Sequence, residues 1–262
     1  VIDVEGFGKA YDATIAVADL SFQVRAGEVL GLVGPNGAGK TTTLRALTGI
    51  IPSSGGRLRV AGYDLDQSPL EVKRRAAYVP DDPQLFHDLS VEQHLKFIAS
   101  VYSVNRAAET ASRLLHQFDL EQKRHSRAAD LSRGMRQKLA ICCAYLHDPS
   151  ALLLDEPMTG LDPRGIRVLK ESIVERAQRG AAVIISSHLL AMVEDICSHV
   201  LVLDAGRQRF CGTIAELRKV FADSRDDATL EDVFFRAIDQ TAPAAAYLNL
   251  DSNAASASSI TV

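Results

Sequence analysis

The sequence predicts an α/β fold built around a largely parallel sheet, and three patterns in its 262 residues carry that expectation. The runs Ala151–Leu154, Ala182–Ile185 and Val200–Leu203 are almost continuously apolar, as strands covered on both faces must be. Helical patterns at about 163–178 and 189–197 separate them, which is a βαβ rhythm. Upstream, Val29–Val33 reads as another buried strand, followed by a glycine-rich turn and a helix from Thr41 to Thr48 that Gly49 stops.

The remaining elements follow in chain order. Residues 1–35 alternate short β-rich runs with turns: Val1–Val4, Ser21–Val24 and Val29–Val33, broken by Gly6, Gly8 and Gly27. Leu58–Val60 and Ala77–Val79 add further strands. From about Asp82 to Asp148 the pattern changes to a period of 3.6, with Val91, Leu95 and Ile98, then Leu114, Leu115 and Phe118, then Leu139, Cys142, Cys143 and Leu146. This block reads as a mostly helical insertion. After the strands return, the turn Asp204-Ala205-Gly206 leads into a short strand, Arg207–Cys211, and Thr213–Phe221 and Thr229–Ile238 close the fold as helices. From Thr241 the chain is Ala/Ser-rich with few large apolar residues, so 241–262 is expected to be a disordered tail.

Composition narrows the class of partner. The net charge of −4 argues against nucleic acid, whose binders are usually basic. Lys123, Arg124, Arg127, Arg133, Arg136 and Lys138 crowd locally, serving either as a solvated helical face or as a phosphate-directed surface. Cys142, Cys143, Cys197 and Cys211 form no C-x-x-C and have no His at zinc-finger spacing. They read as reduced thiols filling core space, which fits a reducing, cytosolic compartment. No apolar run approaches the roughly 18–20 residues a membrane span needs.

Gly34-Pro35-Asn36-Gly37-Ala38-Gly39-Lys40-Thr41 fits the P-loop spacing G-x-x-x-x-G-K-[ST], in the strand–loop–helix setting that the motif requires. Glycines let successive backbone N–H groups face one point, and the helix N-terminus adds partial positive charge there. Lys40 then meets the β- and γ-phosphates of a nucleoside triphosphate, Thr41 offers a hydroxyl to Mg²⁺, and Thr42 reaches the α-phosphate. Leu152-Leu153-Leu154-Asp155-Glu156-Pro157 is a Walker B pattern, an apolar strand delivering Asp155 to the edge of the sheet where nucleotides bind. Asp155 is placed to hold Mg²⁺ through water, and Glu156 to orient and polarise the attacking water.

Leu131-Ser132-Arg133-Gly134-Met135 resembles the LSGGQ signature of the ATP-binding-cassette (ABC) ATPases, with Ser132 as N-cap of a helix running to about Leu146. The resemblance covers about residues 1–240, and the order of motifs agrees with it. It implies a single ABC ATPase domain: a RecA-like P-loop NTPase core, an antiparallel β subdomain, and the helical subdomain inserted at about 82–148. It makes His188 of Ser186-Ser187-His188 the switch histidine, bonding the γ-phosphate and linking it to Glu156. Asp162 of Gly160-Leu161-Asp162-Pro163 takes the D-loop place at a dimer interface, and Tyr11 the place where an aromatic stacks on adenine. Two departures stand out. Asp81 (or Asp82 in a shifted register) occupies the Q-loop position, where the family has Gln, and Arg133 replaces a signature glycine.

The resemblance further implies Mg²⁺ as cofactor, ATP as substrate, and two chains closing head to tail so that each P-loop phosphate meets the partner's Ser132 and Gly134. With no membrane span, the chain would sit at the cytoplasmic face of a membrane and need separate transmembrane permease subunits. Leu-Ser-Arg-Gly-Met, the acidic Q-loop position and Leu230-Glu231-Asp232-Val233-Phe234 are similar to exporter-type, ABC-2 members. An importer ATPase for amino acids, a soluble ABC ATPase acting on ribosomes or DNA, and a binding-only cassette are the alternatives.

Overall fold

The computed structural model describes residues 1–188, 190–221 and 229–239, so the tail expected from Thr241 lies outside the described residues. In chain order the first elements are β1 (Ile2–Tyr11), β2 (Thr14–Val24), β3 (Val29–Val33), α1 (Lys40–Leu47), β4 (Gly55–Val60), β5 (Tyr63–Asp64), α2 (Pro69–Arg75) and β6 (Ala76–Val79). Next come α3 (Val91–Val101), α4 (Ala107–Gln117) and α5 (Arg133–Leu146). The chain continues with β7 (Ala151–Asp155), α6 (Pro163–Gln178), β8 (Ala182–Ser186), α7 (Leu190–Ile196), β9 (His199–Asp204), β10 (Arg207–Thr213), α8 (Ile214–Phe221) and α9 (Leu230–Asp239).

Two sheets form. The larger runs in the order β10-β9-β3-β8-β7-β6 and is parallel except for its edge strand β10. The smaller runs β2-β1-β4-β5 and is antiparallel throughout. Helices α3, α4 and α5 pack on one another between the two halves of the large sheet's sequence, as the periodicity predicts.

Alternation along the parallel strands divides the core in two. Val29 and Val33 of β3, Leu152 and Leu154 of β7, Val183 and Ile185 of β8, and Val200 and Val202 of β9 share one cluster with the helical insertion and α6–α9. Leu30 and Leu32, Leu153, Ile184, and Leu201 and Leu203 share the other with α1 and the antiparallel sheet. Both faces are therefore dry, which is why these strands read as unbroken apolar runs.

The structure differs from expectation in three places. The first two strands are ten and eleven residues long rather than four. Gly6, at φ +58, and the register shifts around Phe7 make bulges that bend β1 without ending it. Helix α2 was not expected. Its signals are local, with Pro69 in the first turn, Glu71 near the N-terminus, and Lys73, Arg74 and Arg75 in the last turn. Of the four cysteines, only Cys142 and Cys197 are fully in the core, while Cys143 and Cys211 are half-buried; all four are free thiols.

Close approach explains one glycine of the parallel sheet. A β-carbon on Gly31, in the middle of β3, would sit 2.6 Å from Val193 Cγ1 on α7. Gly31→Val should therefore lose about 1–3 kcal/mol by overpacking. Urea unfolding checks this, and Val193→Ala added to Gly31→Val should recover part of the loss.

Candidate nucleotide site

Register builds the site. Leu32 of β3 pairs with Ser186 of β8, and Ser186 pairs with Asp155 of β7. The glycine-rich turn after β3, Glu156 after β7, and His188 after β8 thus leave the sheet side by side at its carboxyl edge, where ligands of open α/β sheets bind. A cleft of about 280 Å³ lies there, lined by Asn36 to Thr42 together with Asp81, Asp155 and Glu156.

The glycine-rich turn holds its shape by backbone demands. Gly37 (φ +80) and Gly39 (φ +106) occupy the left-handed region, and Gly39 is the N-cap of α1. At Gly34 a β-carbon would sit 2.2 Å from the Leu203 carbonyl oxygen, so the turn can lie down only without a side chain there. Lys40 curls back, its Nζ donating to the carbonyls of Gly34 at 2.7 Å and Pro35 at 3.2 Å. Burial pushes the Lys40 ammonium below the ordinary lysine value, while Glu156 and Asp155 pull it back up.

Asp155 is buried and held at both oxygens. Ser186 Oγ donates to Oδ1 at 2.5 Å and Tyr78 Oη to Oδ2 at 3.1 Å. Burial beside that carboxylate lifts the Tyr78 phenol to about 12, so it stays a donor. Glu156 follows with a left-handed backbone (φ +46), a conformation that a non-glycine residue keeps only when its surroundings enforce it. Its N–H donates to both the carbonyl oxygen (3.2 Å) and the hydroxyl (3.0 Å) of Ser186. The Glu156 carboxylate lies 2.8 Å from His188 Nδ1. Burial raises the Glu156 carboxyl above the usual value, opposed by His188 and then Lys40.

The helical side presents a second set of groups. Ser132 caps α5, its hydroxyl accepting from the Met135 N–H at 3.3 Å, while Leu131 is buried as the anchor before it. Gly134 packs on the turn after β7, where a β-carbon would meet the Gly160 carbonyl oxygen at 2.4 Å. Asp162 caps α6 through the Gly165 N–H at 3.0 Å and faces Lys138 Nζ at 3.6 Å. Asp81 pairs with Arg133 at 3.2 Å. Of the two acids after Pro80, Asp81 lines the cleft, whereas Asp82 accepts from Gln84 at 3.1 Å. Tyr11 stands at the end of β1, outside the cleft's lining, with Lys9 Nζ 5.0 Å from its ring centre. The basic residues expected to crowd together are partly taken up within the chain, Arg124 by Glu92 and Ser112, and Arg127 by Asp130.

Donor chemistry suits a hard divalent cation. The Thr41 hydroxyl and the Asp155 carboxylate are oxygen ligands beside the same cleft. No group of three or more His, Cys, Asp or Glu forms a metal cage among the described residues, and Mg²⁺ at nucleotide sites typically takes one or two protein oxygens plus phosphate.

A family model described as ABC transporter matches residues 17–159. The chain belongs to the ABC transporter family. It is 33% identical over 238 residues to the ABC-type transporter ATP-binding protein EcsA of Bacillus subtilis (strain 168), covering 89% of this chain and 95% of that one. It is 34% identical over 210 residues to the Nod factor export ATP-binding protein I of Cupriavidus metallidurans, covering 79% of this chain and 69% of the relative. A solved structure of the ATP-binding subunit of an ABC transporter superposes with a TM-score of 0.86 at 34% identity, over 90% of this chain and 99% of that chain. The chain is thus an ATP-binding subunit of the ABC transporter type.

Reading the sequence of this ABC subunit misses Tyr78 and Ser186, the two residues that bond Asp155. Ser186 was legible as the residue that follows an apolar strand and Tyr78 as a strand residue, but only the sheet order brings them to the acid. Ser186→Ala leaves the buried Asp155 carboxylate and the Glu156 N–H each short of a partner. It should cost about 1–3 kcal/mol in urea unfolding, more than an exposed Ser→Ala change does.

Proposed function

We propose that this chain hydrolyses ATP with residues 1–240 acting as one ABC ATPase domain, in a head-to-tail pair with a second ABC chain, to drive export through separate permease subunits. The observation that carries the proposal is the set of groups around one cleft: Lys40 and Thr41 on one wall, Asp155 and Glu156 on the other, and His188 bonded to Glu156 at 2.8 Å.

The chain's own residues divide the work. Gly34 to Thr42 cradle the phosphates with backbone N–H groups, and Lys40 exchanges its carbonyl partners for the β- and γ-phosphates. Thr41 and, through water, Asp155 would hold Mg²⁺, which would supply positive charge to the phosphate oxygens. Tyr11 stacks on adenine. Glu156, oriented by His188, accepts the proton of the attacking water. The water oxygen bonds to the γ-phosphorus as the bond to the β,γ-bridging oxygen breaks, and ADP and phosphate leave. Ser132 and Gly134 of the second chain close over the γ-phosphate, with Asp162 at the interface.

Two further observations support the transporter reading. A groove of about 930 Å³ runs between the core and the helical insertion, from Thr41 and Asp81 to the exposed Phe86 and Phe97. It is an apolar seat next to the Q-loop position, where a cytoplasmic segment of the permease docks in this proposal. No helix among the described residues is long and apolar enough to cross a membrane; in this proposal the pathway is formed by the separate permease subunits, with this subunit at their cytoplasmic face. Export rather than import follows from the Leu-Ser-Arg-Gly-Met signature and from relatives such as the Nod factor export protein.

Glu156→Gln should cut turnover by about 10²–10⁴ while leaving ATP binding intact, measured by phosphate release and nucleotide binding. Because Glu156 works as a carboxylate and burial raises its pKa, wild-type kcat should rise with pH through a midpoint above the ordinary carboxylate value. That acid limb should vanish in whatever turnover Glu156→Gln retains. Trapped with ATP and extracted gently from its host membrane, Glu156→Gln should bring down a multi-span membrane protein. Recovery of ribosomes or DNA-bound proteins instead would overturn the transporter reading.

A further inference from the structure

The first turns of α5 touch both walls of the nucleotide cleft's mouth. Residues 133 and 137 are one turn apart on one face of the helix. Arg133 Nη2 lies 3.2 Å from Asp81 Oδ1, and Gln137 Nε2 donates to the Pro80 carbonyl at 3.5 Å. Residues 134 and 138 occupy the neighbouring face and meet the turn after β7 at Gly160 and Asp162. The aliphatic stem of Arg133 lies across Gly160, where a β-carbon would stand 3.2 Å from Arg133 Cγ and Cδ. Two sides thus fix this arginine: Gly160 supports the stem, and Asp81 holds the head.

Charge at the cleft shows what that arrangement accomplishes. Asp81, Asp155 and Glu156 all line it against the single ammonium of Lys40. Asp155 has Tyr78 and Ser186 as hydrogen-bond donors, and Glu156 has His188. Asp81 has Arg133. A triphosphate brought to Lys40 meets the Asp81 carboxylate as a like charge, and the repulsion grows with each added phosphate.

We propose that Arg133 is a positioning residue that neutralises Asp81, so that an acid can stand beside the γ-phosphate without weakening triphosphate binding. The two departures from the signature and Q-loop patterns are then one feature, a matched pair 52 residues apart in sequence. The inference rests on the proposed ATP site. Both side chains are about half exposed, 51% and 48%, so the effect is several-fold and declines with salt.

The test is equilibrium binding of Mg·ATP and Mg·ADP to the full chain, with thermal melting of each variant to show that it folds. Arg133→Gln keeps the stem over Gly160 and removes the charge. It should raise the Kd for Mg·ATP by about three- to ten-fold at low salt and that for Mg·ADP by less than about two-fold. Adding Asp81→Asn to Arg133→Gln should return Mg·ATP binding to within about two-fold of wild type, and Arg133→Lys should bind as wild type does. Equal loss for ATP and ADP, or no recovery in the double variant, would make the pair a structural brace and overturn the proposal. Unchanged ATP binding in Arg133→Gln would overturn it as well. A wild-type chain that binds neither nucleotide sinks the ATP-site reading itself, an outcome distinct from either of these.

Discussion

The common register of β3, β8 and β7 is the constraint on which the nucleotide site depends. Ser186 sits between Leu32 and Asp155 in that register, and its one hydroxyl donates to the Asp155 carboxylate while accepting from the Glu156 N–H. A slip of β8 by one residue would turn this side chain to the other face of the sheet. Asp155 would lose a donor and Glu156 one of the two bonds that hold its left-handed backbone. Two dry faces enforce the register, because the same slip would exchange Val183 and Ile185 with Ile184 between two packed clusters.

Burial sets the electrostatics of the cleft in opposite senses on its two walls. It lowers the Lys40 ammonium and raises the Glu156 carboxyl, and each group partly restores the other's charge. Burial thus makes both easier to neutralise than in water, and their mutual attraction opposes that shift. In the proposed site, a phosphate chain arriving at Lys40 would replace two backbone carbonyls with full negative charges, which would favour the ammonium. Glu156 also has His188 as a neighbour, so its orientation does not depend on Lys40 alone.

Much of this was legible in the sequence for physical reasons that can be named. Parallel strands buried on two faces leave unbroken apolar runs, so β3, β7, β8 and β9 were found close to their true limits. The helix start at Ser132 was legible because a capping side chain is a local device. The groups gathered at the cleft, Lys40, Thr41, Asp155 and Glu156, were named because their motifs fix backbone shape over a few residues. Apart from the short helix α2, what escaped is of two kinds. Gly6 and Gly8 look like breakers in a linear reading, and only pairing with β2 and β4 turns them into bulges within one long strand. Tyr78, Ser186 and the Arg133–Asp81 pair depend on which strands and loops become neighbours, and no window of consecutive residues holds that information.

The far end of α5 is held differently from its tip. Arg176 of α6 stacks on the Tyr145 ring at 3.7 Å and pairs with Asp148 at 2.9 Å, and the Tyr145 hydroxyl lies 3.1 Å from Ser172 Oγ. Tyr145 and Arg176 are both buried, so α5 is bolted to the core at its C-terminal end. At its N-terminal end the contacts include two partly exposed ion pairs, Arg133–Asp81 and Lys138–Asp162, and a glycine-on-glycine seat. Fourteen residues make a rod about 21 Å long. Such a rod is a lever with its fulcrum at Tyr145. A tilt of about ten degrees there carries Ser132 through about 3.4 Å, while the packed end barely moves.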